Sequence, residues 1–416
     1  MGTNALIQDD AVVFGLIMAI LGLVFYTSGS KHPFFVVFYR FVPVVLLCYF
    51  IPALFNTFGL VSGAGSNLYF VASRYLLPTS LVLLTLSIDL KSILQLGPKA
   101  LIMFLTGTFG IILGGPAALF FVSLVFPEVL GGMGADETWR GLATIAGSWI
   151  GGSANQTAML EVFGASPALF SQMIAVDVIV ANVWMAFLLY WAANPGPIDH
   201  LLKSDTTAIT NLKEKVAQYQ KKNAKIPQLS DTMSILGLGF FITGVSHFFA
   251  GRLAPYIGET YPWLKPYSLD SPFFWLVILA TSGGLVLSFT RCRKLEGVGA
   301  SRLGSVLLYV LVASIGLQMD LRAVLDNPLF FLIGITWMAF HIFFMLLVAY
   351  LIRAPFFYVA IGSQANVGGA ASAPIVASAF HPALAPVGVL LAVLGYAVGT
   401  YGAYLCGVLL QLTFGS

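Results

Sequence analysis

The feature that most constrains this chain is a series of long apolar runs with almost no charge inside them. Residues 11–29, 34–55, 101–126 and 330–352 each reach the ~20 residues a helix needs to cross the hydrocarbon core of a bilayer. Of 416 residues, 58% are hydrophobic and only 9% charged, whereas a soluble domain carries about 25% charged residues. Such a chain cannot coat itself for water. In lipid the backbone must satisfy its own N–H and C=O groups, which apolar runs of this length do as helices. The sequence therefore specifies an all-α polytopic membrane protein.

The residues before Ala11 include Asp9 and Asp10 but no Lys or Arg. The basic start of a cleavable signal peptide is missing, so the first run reads as a retained span. Cys48, Cys292 and Cys406 show no paired spacing and sit in or beside apolar runs, which points to neither a disulfide framework nor a transition-metal site. A net charge of +3 gives no footprint for nucleic acid.

The chain also repeats itself, which bears on the whole fold. HPFF at 32–35 recurs as SPFF at 271–274, and SIDLKSIL at 87–94 as QMDLRAVL at 318–325. GGSANQTA at 151–158 answers GGAASAPI at 368–375, and SPAL at 166–169 answers HPAL at 381–384. Four matches in one order imply two halves, residues 1–193 and 232–416. Between them, 194–231 is polar. Ile209, Leu212, Val216 and Tyr219 follow a helical spacing there among Lys213, Lys215, Lys221, Lys222 and Lys225. That pattern reads as an amphipathic linker helix on anionic headgroups, or equally as a solvated tether.

Charge decides the topology. About ten spans read out near 11–29, 34–56, 68–89, 98–126, 166–192, 232–251, 272–290, 303–319, 328–352 and 384–412. Residues 141–164 and 359–379 are left over. If each of those enters and leaves by one face, Lys31, Lys91, Lys99, the linker lysines, Arg291, Arg293, Lys294, Arg302 and Arg353 share a side. Glu128, Asp136, Glu137 and the acidic N-terminus fall on the other. The positive-inside rule makes the basic side, with the linker, cytoplasmic and both termini extracytoplasmic. Five crossings per half then insert the second half upside down. Inverted repeats of this kind belong to secondary transporters, which bind their solute near the midplane at discontinuous helices.

The two leftover segments carry the polarity. GSWIGGSANQTAMLE at 147–161 crowds glycines and hydrogen-bonding side chains between apolar runs. Irregular backbone at membrane depth is tolerated where it lines a cavity or is buried in protein. We expect two re-entrant hairpins, at about 141–164 and 359–379, whose tips meet from opposite faces. Close packing of small residues between helices is the plainer alternative. Solute contacts are expected from Ser153, Asn155, Gln156, Thr157, Gln364, Asn366 and Ser372. Cation contacts are expected from Ser148, Gly151, Gly152, Asn182, Ser363, Gly368 and Gly369, grouped around Asp177.

Asp177 stands in MIAVDVIVANVWMAFLLYW, far from either end of its run. A carboxylate there costs ~2.5–3.5 kcal/mol or more unless partnered, which makes it a functional candidate by default: a Na⁺ ligand or a proton carrier. A structural bond to a neighbouring helix would also explain it. Glu161 ends the first hairpin segment and could equally lie at the outer surface. His341 reads as a packed, hydrogen-bonded histidine.

The segments GSWIGGSANQTAML and IGSQANVGGAASAPIVA, with the Asp-containing span that follows the first, resemble the YjcL-like family of bacterial membrane proteins of unknown function. More distantly, the chain is similar to sodium-coupled glutamate and citrate symporters. The resemblance implies two inverted five-helix repeats with re-entrant hairpins, an elevator-type transport domain, a scaffold domain and a homodimer. The Gly-Gly-His-Gly-Thr pattern of glutamate symporter hairpins is here Gly-Gly-Ser-Ala-Asn at 151–155 and Gly-Gly-Ala-Ala-Ser at 368–372, so glutamate does not carry over as the solute.

The function expected from the sequence is ion-coupled secondary transport of a small organic solute, with Na⁺ or H⁺ as coupling ion and no other cofactor. A cation/proton antiporter is the alternative. Catalysis is not expected, because no base accompanies Ser153 and no nucleotide loop of the Gly-x-x-x-x-Gly-Lys-Ser/Thr type is present. The expected setting is the cell membrane, with lipids, the solute and a second copy of the chain as partners.

Overall fold

The computed structural model describes residues 6–42, 44–61, 66–204, 227–319, 321–322, 327–381 and 384–415. The expected linker helix at 209–219 lies outside them. Among the described residues every regular element is helical, apart from an isolated bridge between Ile7 and Val61. The first half holds α1 (Asp10–Ser28), α2 (Pro33–Phe41), α3 (Val44–Thr57), α4 (Leu68–Leu86, with a π-helical turn at Ala72–Leu76), α5 (Leu90–Gln95) and α6 (Pro98–Val125). It continues through α7 (Thr138–Gly151), α8 (Ser153–Phe163), α9 (Pro167–Ala193) and α10 (Gly196–Leu201). The second half holds α11 (Leu229–Thr260), α12 (Pro272–Ser288), α13 (Ala300–Gly316), α14 (Leu329–Ile352), α15 (Phe356–Val367), α16 (Gly369–Phe380) and α17 (Ala385–Phe414).

Local chemistry sets many of these starts. Proline opens α6, α9 and α12, where a missing N–H costs nothing. The hydroxyls of Ser166 and Ser271 accept the N–H groups of Leu169 and Phe274 and cap α9 and α12. Among the described residues, seven helices (α1, α4, α6, α9, α11, α14 and α17) are long and apolar enough to cross a membrane. The number rises to nine if two bent pairs each count as a span. One bent pair is α12 with the 3₁₀ turn Arg291–Val298, at 95°. The other corrects the sequence reading of 34–56 as one run: α2 and α3 meet at 91°. Val42, just before Pro43 in the chain, takes φ −114° and ψ 104°, the extended conformation a following proline favours. Helix α13, at 17 residues, is apolar but falls just short of the ~20 residues a span needs. A multi-pass membrane protein is the architecture these helices make.

The helices pack as two groups. One contains α6–α9 and α14–α17; the other contains α1–α4 and α11–α13. Within the first, α7 and α8 fold back on one another. Arg140 Nη1, at the start of α7, donates to the carbonyl of Phe163 at the end of α8, and the Trp139 and Phe163 rings lie 5.7 Å apart. The legs α15 and α16 do the same, with Phe380 against Phe356 and Phe357 at ring distances of 6.0 and 5.3 Å.

These two hairpins open at opposite ends of the group. The first opens where α6 ends and α9 begins: Thr138 Oγ1 donates to Val129 O at 2.7 Å, and Ser166 N to Ala135 O at 2.8 Å. The second opens where α6 begins and α9 has ended: Lys99 Nζ donates to Arg353 O at 3.0 Å, and Phe356 N to Asp199 Oδ1 at 2.8 Å. Since α6 has 28 residues, about 1.5 Å of rise per residue separates the two openings by roughly 40 Å. The hairpins reach toward each other along that length.

Candidate functional site

The first hairpin turns at Gly152, which has φ +80° and ψ −174°, a conformation essentially reserved for glycine. Its legs approach closely because Gly147 has no side chain: a Cβ there would lie 2.5 Å from the Asn155 carbonyl oxygen. The second hairpin turns at Gly368 and Gly369, the latter at φ +59°. Both tips border a cavity of about 260 Å³, below the ~300–1,000 Å³ of drug-sized sites and suited to a small metabolite. The first tip supplies Ser148, Gly152, Ser153 and Gln156, and the second Gln364, Gly368 and Ser372. Helix α9 adds Asp177, Asn182 and Met185; Tyr39, Tyr49 and Tyr309 close the wall from the other helix group.

Asp177 is 7% exposed and carries the only formal charge among the described residues of this wall. All three of its hydrogen bonds come from the first hairpin. Ser148 Oγ donates to Oδ2 at 2.7 Å, Gln156 Nε2 to Oδ2 at 3.1 Å, and Trp149 Nε1 to Oδ1 at 2.7 Å. Asp177 thus ties α9 to the hairpin while facing the cavity. An indole nitrogen only donates, so Trp149 holds Oδ1 and leaves Oδ2 beside two groups that can reverse their roles, a hydroxyl and an amide.

On the opposite tip, Gln364 is 2% exposed. Its Nε2 donates to Ser372 Oγ at 2.7 Å, while Oε1 has no hydrogen-bond partner among the described residues. A buried amide oxygen without a partner costs ~1–3 kcal/mol, so a group entering the cavity gains by bonding it. The first turns of α8 and α16 also begin at these tips, where helix N–H groups lack intrahelical acceptors.

Other expected site residues point elsewhere. Asn155 donates to Gly151 O at 3.2 Å and to Tyr396 O at 3.0 Å, and accepts from Thr400 Oγ1 at 2.6 Å. Asn366 donates to Gly362 O at 2.8 Å and to Phe104 O at 2.9 Å, and accepts from Thr108 Oγ1 at 2.8 Å. Each amide is spent pinning its hairpin, one to α17 and the other to α6. Thr157 turns back to Ser153 O at 3.0 Å. Ser363 accepts from Trp184 Nε1 at 2.8 Å and lies 2.7 Å from Nε2 of His341. The other ring nitrogen of His341 is 3.2 Å from Gly107 O, so the histidine joins α14 to α6 and α15. Gly151 packs against Gly395 O and Asn155, and Gly369 supplies only the turn. The structure therefore brings Ser148, Gly152, Ser153, Gln156, Asp177, Asn182, Gln364, Gly368 and Ser372 to the cavity, and leaves Gly151, Asn155, Thr157, Ser363, Asn366 and Gly369 off it.

Trp149 and Tyr49 were missed. A buried indole N–H needs a partner, and Trp149 lies next to Ser148 inside the polar segment; that adjacency was the available signal. Glu161 falls outside the cavity, at the open end of the first hairpin, where Arg74 Nη1 is 2.9 Å away and the Tyr69 hydroxyl donates to it.

The model of a family described as a protein of unknown function (DUF819) matches residues 15–413. The chain belongs to this family. The DUF819 chain is also similar to the "Uncharacterized membrane protein YjcL" of Bacillus subtilis (strain 168), at 25% identity over 353 residues, covering 81% of this chain and 82% of the relative. The match runs through both hairpins and the α9 span, so the elements that build the cavity lie inside the family's own extent.

Proposed function

We propose that this DUF819 protein is a secondary transporter that moves a small organic solute through the cavity between the hairpin tips, coupled to a cation at Asp177. One observation carries the reading: two helix hairpins open at opposite ends of α6 and close, tip to tip, on a cavity that holds a single buried carboxylate among the described residues. This supports reading both hairpins as re-entrant and the halves 1–193 and 232–416 as inverted repeats, the arrangement of midplane-binding transporters. The hairpin group (α6–α9, α14–α17) is then the moving body, and the other group the scaffold, since the cavity lies on the boundary between them. The second hairpin's opening, with Lys99, Lys203 and Arg353 near it, faces the cytoplasm by the positive-inside rule.

The bonds around Asp177 favour H⁺ over Na⁺ as the coupling ion. Three donors surround the carboxylate, and Na⁺ would need oxygen ligands in their place. A proton needs only Ser148 or Gln156 to reverse. Bare cation/proton antiport leaves the unpartnered Gln364 Oε1 without a role, whereas a solute bearing an N–H or O–H group gives it one. Among the described residues of the cavity wall the only formal charge is negative, which favours a neutral, zwitterionic or cationic solute over an anion.

The experiment is a thermal-unfolding screen of purified protein against small metabolites at several pH values, with and without Na⁺, followed by uptake into proteoliposomes. A bound solute at 100 times its Kd stabilises by ~2.7 kcal/mol. We expect a hit whose uptake follows an imposed pH gradient. Uptake equally fast without any ion gradient would refute coupling.

A further inference from the structure

We propose that a second pocket, between α5 and the bend after α12, holds the phosphate headgroup of an anionic phospholipid drawn from the surrounding bilayer. The pocket measures about 580 Å³ and is separate from the central cavity. Its polar wall is Lys91 and Gln95 of α5 with Thr290 and Arg293; its apolar wall includes Leu94 and Phe289.

The sequence places these groups where a lipid would meet them. Spans α4 and α12 end at Leu86 and Ser288, and the chain after α12 turns by 95° into the 3₁₀ segment Arg291–Val298, crossing the span ends instead of extending them. Leu94 and Phe289 are 58% and 65% exposed, an apolar surface beside two cations. Arg293 Nη1 donates to Asp89 Oδ1 at 2.5 Å, which fixes the guanidinium at the pocket and leaves it four other N–H donors. Lys91, Arg293 and Asp89 together leave one net positive charge, and Arg291 and Lys294 are in the same 3₁₀ segment. A free anion would gain from the charge but not from Leu94 and Phe289; a phosphatidyl lipid gains from both. Basic pockets between helices on the cytoplasmic side take anionic headgroups for this reason, and this pocket is on the side of the Lys-rich loops.

The test uses full-length wild-type protein in detergent, with Lys91→Gln and, as a control at the other end of the molecule, Lys265→Gln. The unfolding midpoint is titrated with short-chain phosphatidylglycerol, short-chain phosphatidylcholine and inorganic phosphate. Phosphatidylglycerol should raise the wild-type midpoint while the other two do not. Lys91→Gln should raise its half-saturating concentration about fivefold, the equivalent of the ~1 kcal/mol that one basic residue contributes near an anionic surface, and Lys265→Gln should leave it unchanged. Lys91 is exposed, so its loss should not hinder folding. Equal stabilisation by phosphatidylcholine, equal stabilisation by inorganic phosphate, or an unshifted Lys91→Gln titration would each overturn the lipid assignment.

Discussion

Replacing Asp177 separates its structural bonds from its charge. In Asp177→Asn the amide oxygen still accepts from Trp149 Nε1, the Ser148 hydroxyl can turn to accept from the new amide, and Gln156 can present its own oxygen. Hydrogen bonds to a charged group are worth ~1.5–3 kcal/mol against ~0.5–1.5 for neutral ones. The loss across these bonds is offset by no longer burying a charge, so Asp177→Asn should fold within ~2 kcal/mol of wild type. Asp177→Ala strands the Trp149 N–H, which is fully buried, and the Gln156 amide. At ~1–3 kcal/mol for each stranded group, it should lose ~2–6 kcal/mol. Unfolding midpoints in detergent give the first comparison, and proteoliposome uptake with and without a pH gradient gives the second. The expected outcome is a stable Asp177→Asn protein whose solute movement no longer follows the gradient. Gradient-driven uptake at the wild-type rate by Asp177→Asn would refute the role given to its charge, and equal stability of the Asn and Ala variants would refute the hydrogen-bond account.

Other outcomes follow from the same geometry. Gly152→Ala meets no side chain closer than Tyr396 at 3.9 Å, so its cost should be the ~1–3 kcal/mol of forcing alanine into a glycine conformation, seen as a lowered unfolding midpoint. Gly147→Ala must push the hairpin legs apart and should abolish folded yield on size-exclusion chromatography. Gln364→Leu should leave thermal stability without solute equal to or above wild type, because it removes an unpartnered oxygen, yet weaken solute stabilisation at least tenfold. Glu161→Gln should loosen the contact between the hairpin group and α4. A partly exposed ion pair is worth ~1 kcal/mol at most, so exchange rates across proteoliposomes should change by no more than about fivefold.

The sequence carried the multi-pass, all-helical character because its physics is one-dimensional there. Apolar run length, the glycines at Gly147, Gly152 and Gly369, and the out-of-place charge of Asp177 all announce themselves without knowledge of contacts. The bend between α2 and α3 was missed because hydropathy runs straight through it, although Pro43 marked the place. Side-chain direction was not legible. Asn155 and Asn366 belong to the same polar segments as Gln156 and Gln364, yet they face α17 and α6, because successive residues of one helix are turned about 100° from each other. Trp149 gave no sign of its partner, since the acceptor for its N–H lies 28 residues away on another helix.

Alternating exposure of the cavity is the claim on which the transport reading rests, and labelling a single cysteine measures it. Ser153→Cys, in a background with Cys48, Cys292 and Cys406 replaced, should react with a membrane-impermeant thiol reagent in right-side-out and in inside-out vesicles. The stabilising solute should protect it from both faces. Reaction from one face only, at every pH and solute concentration, would contradict the account.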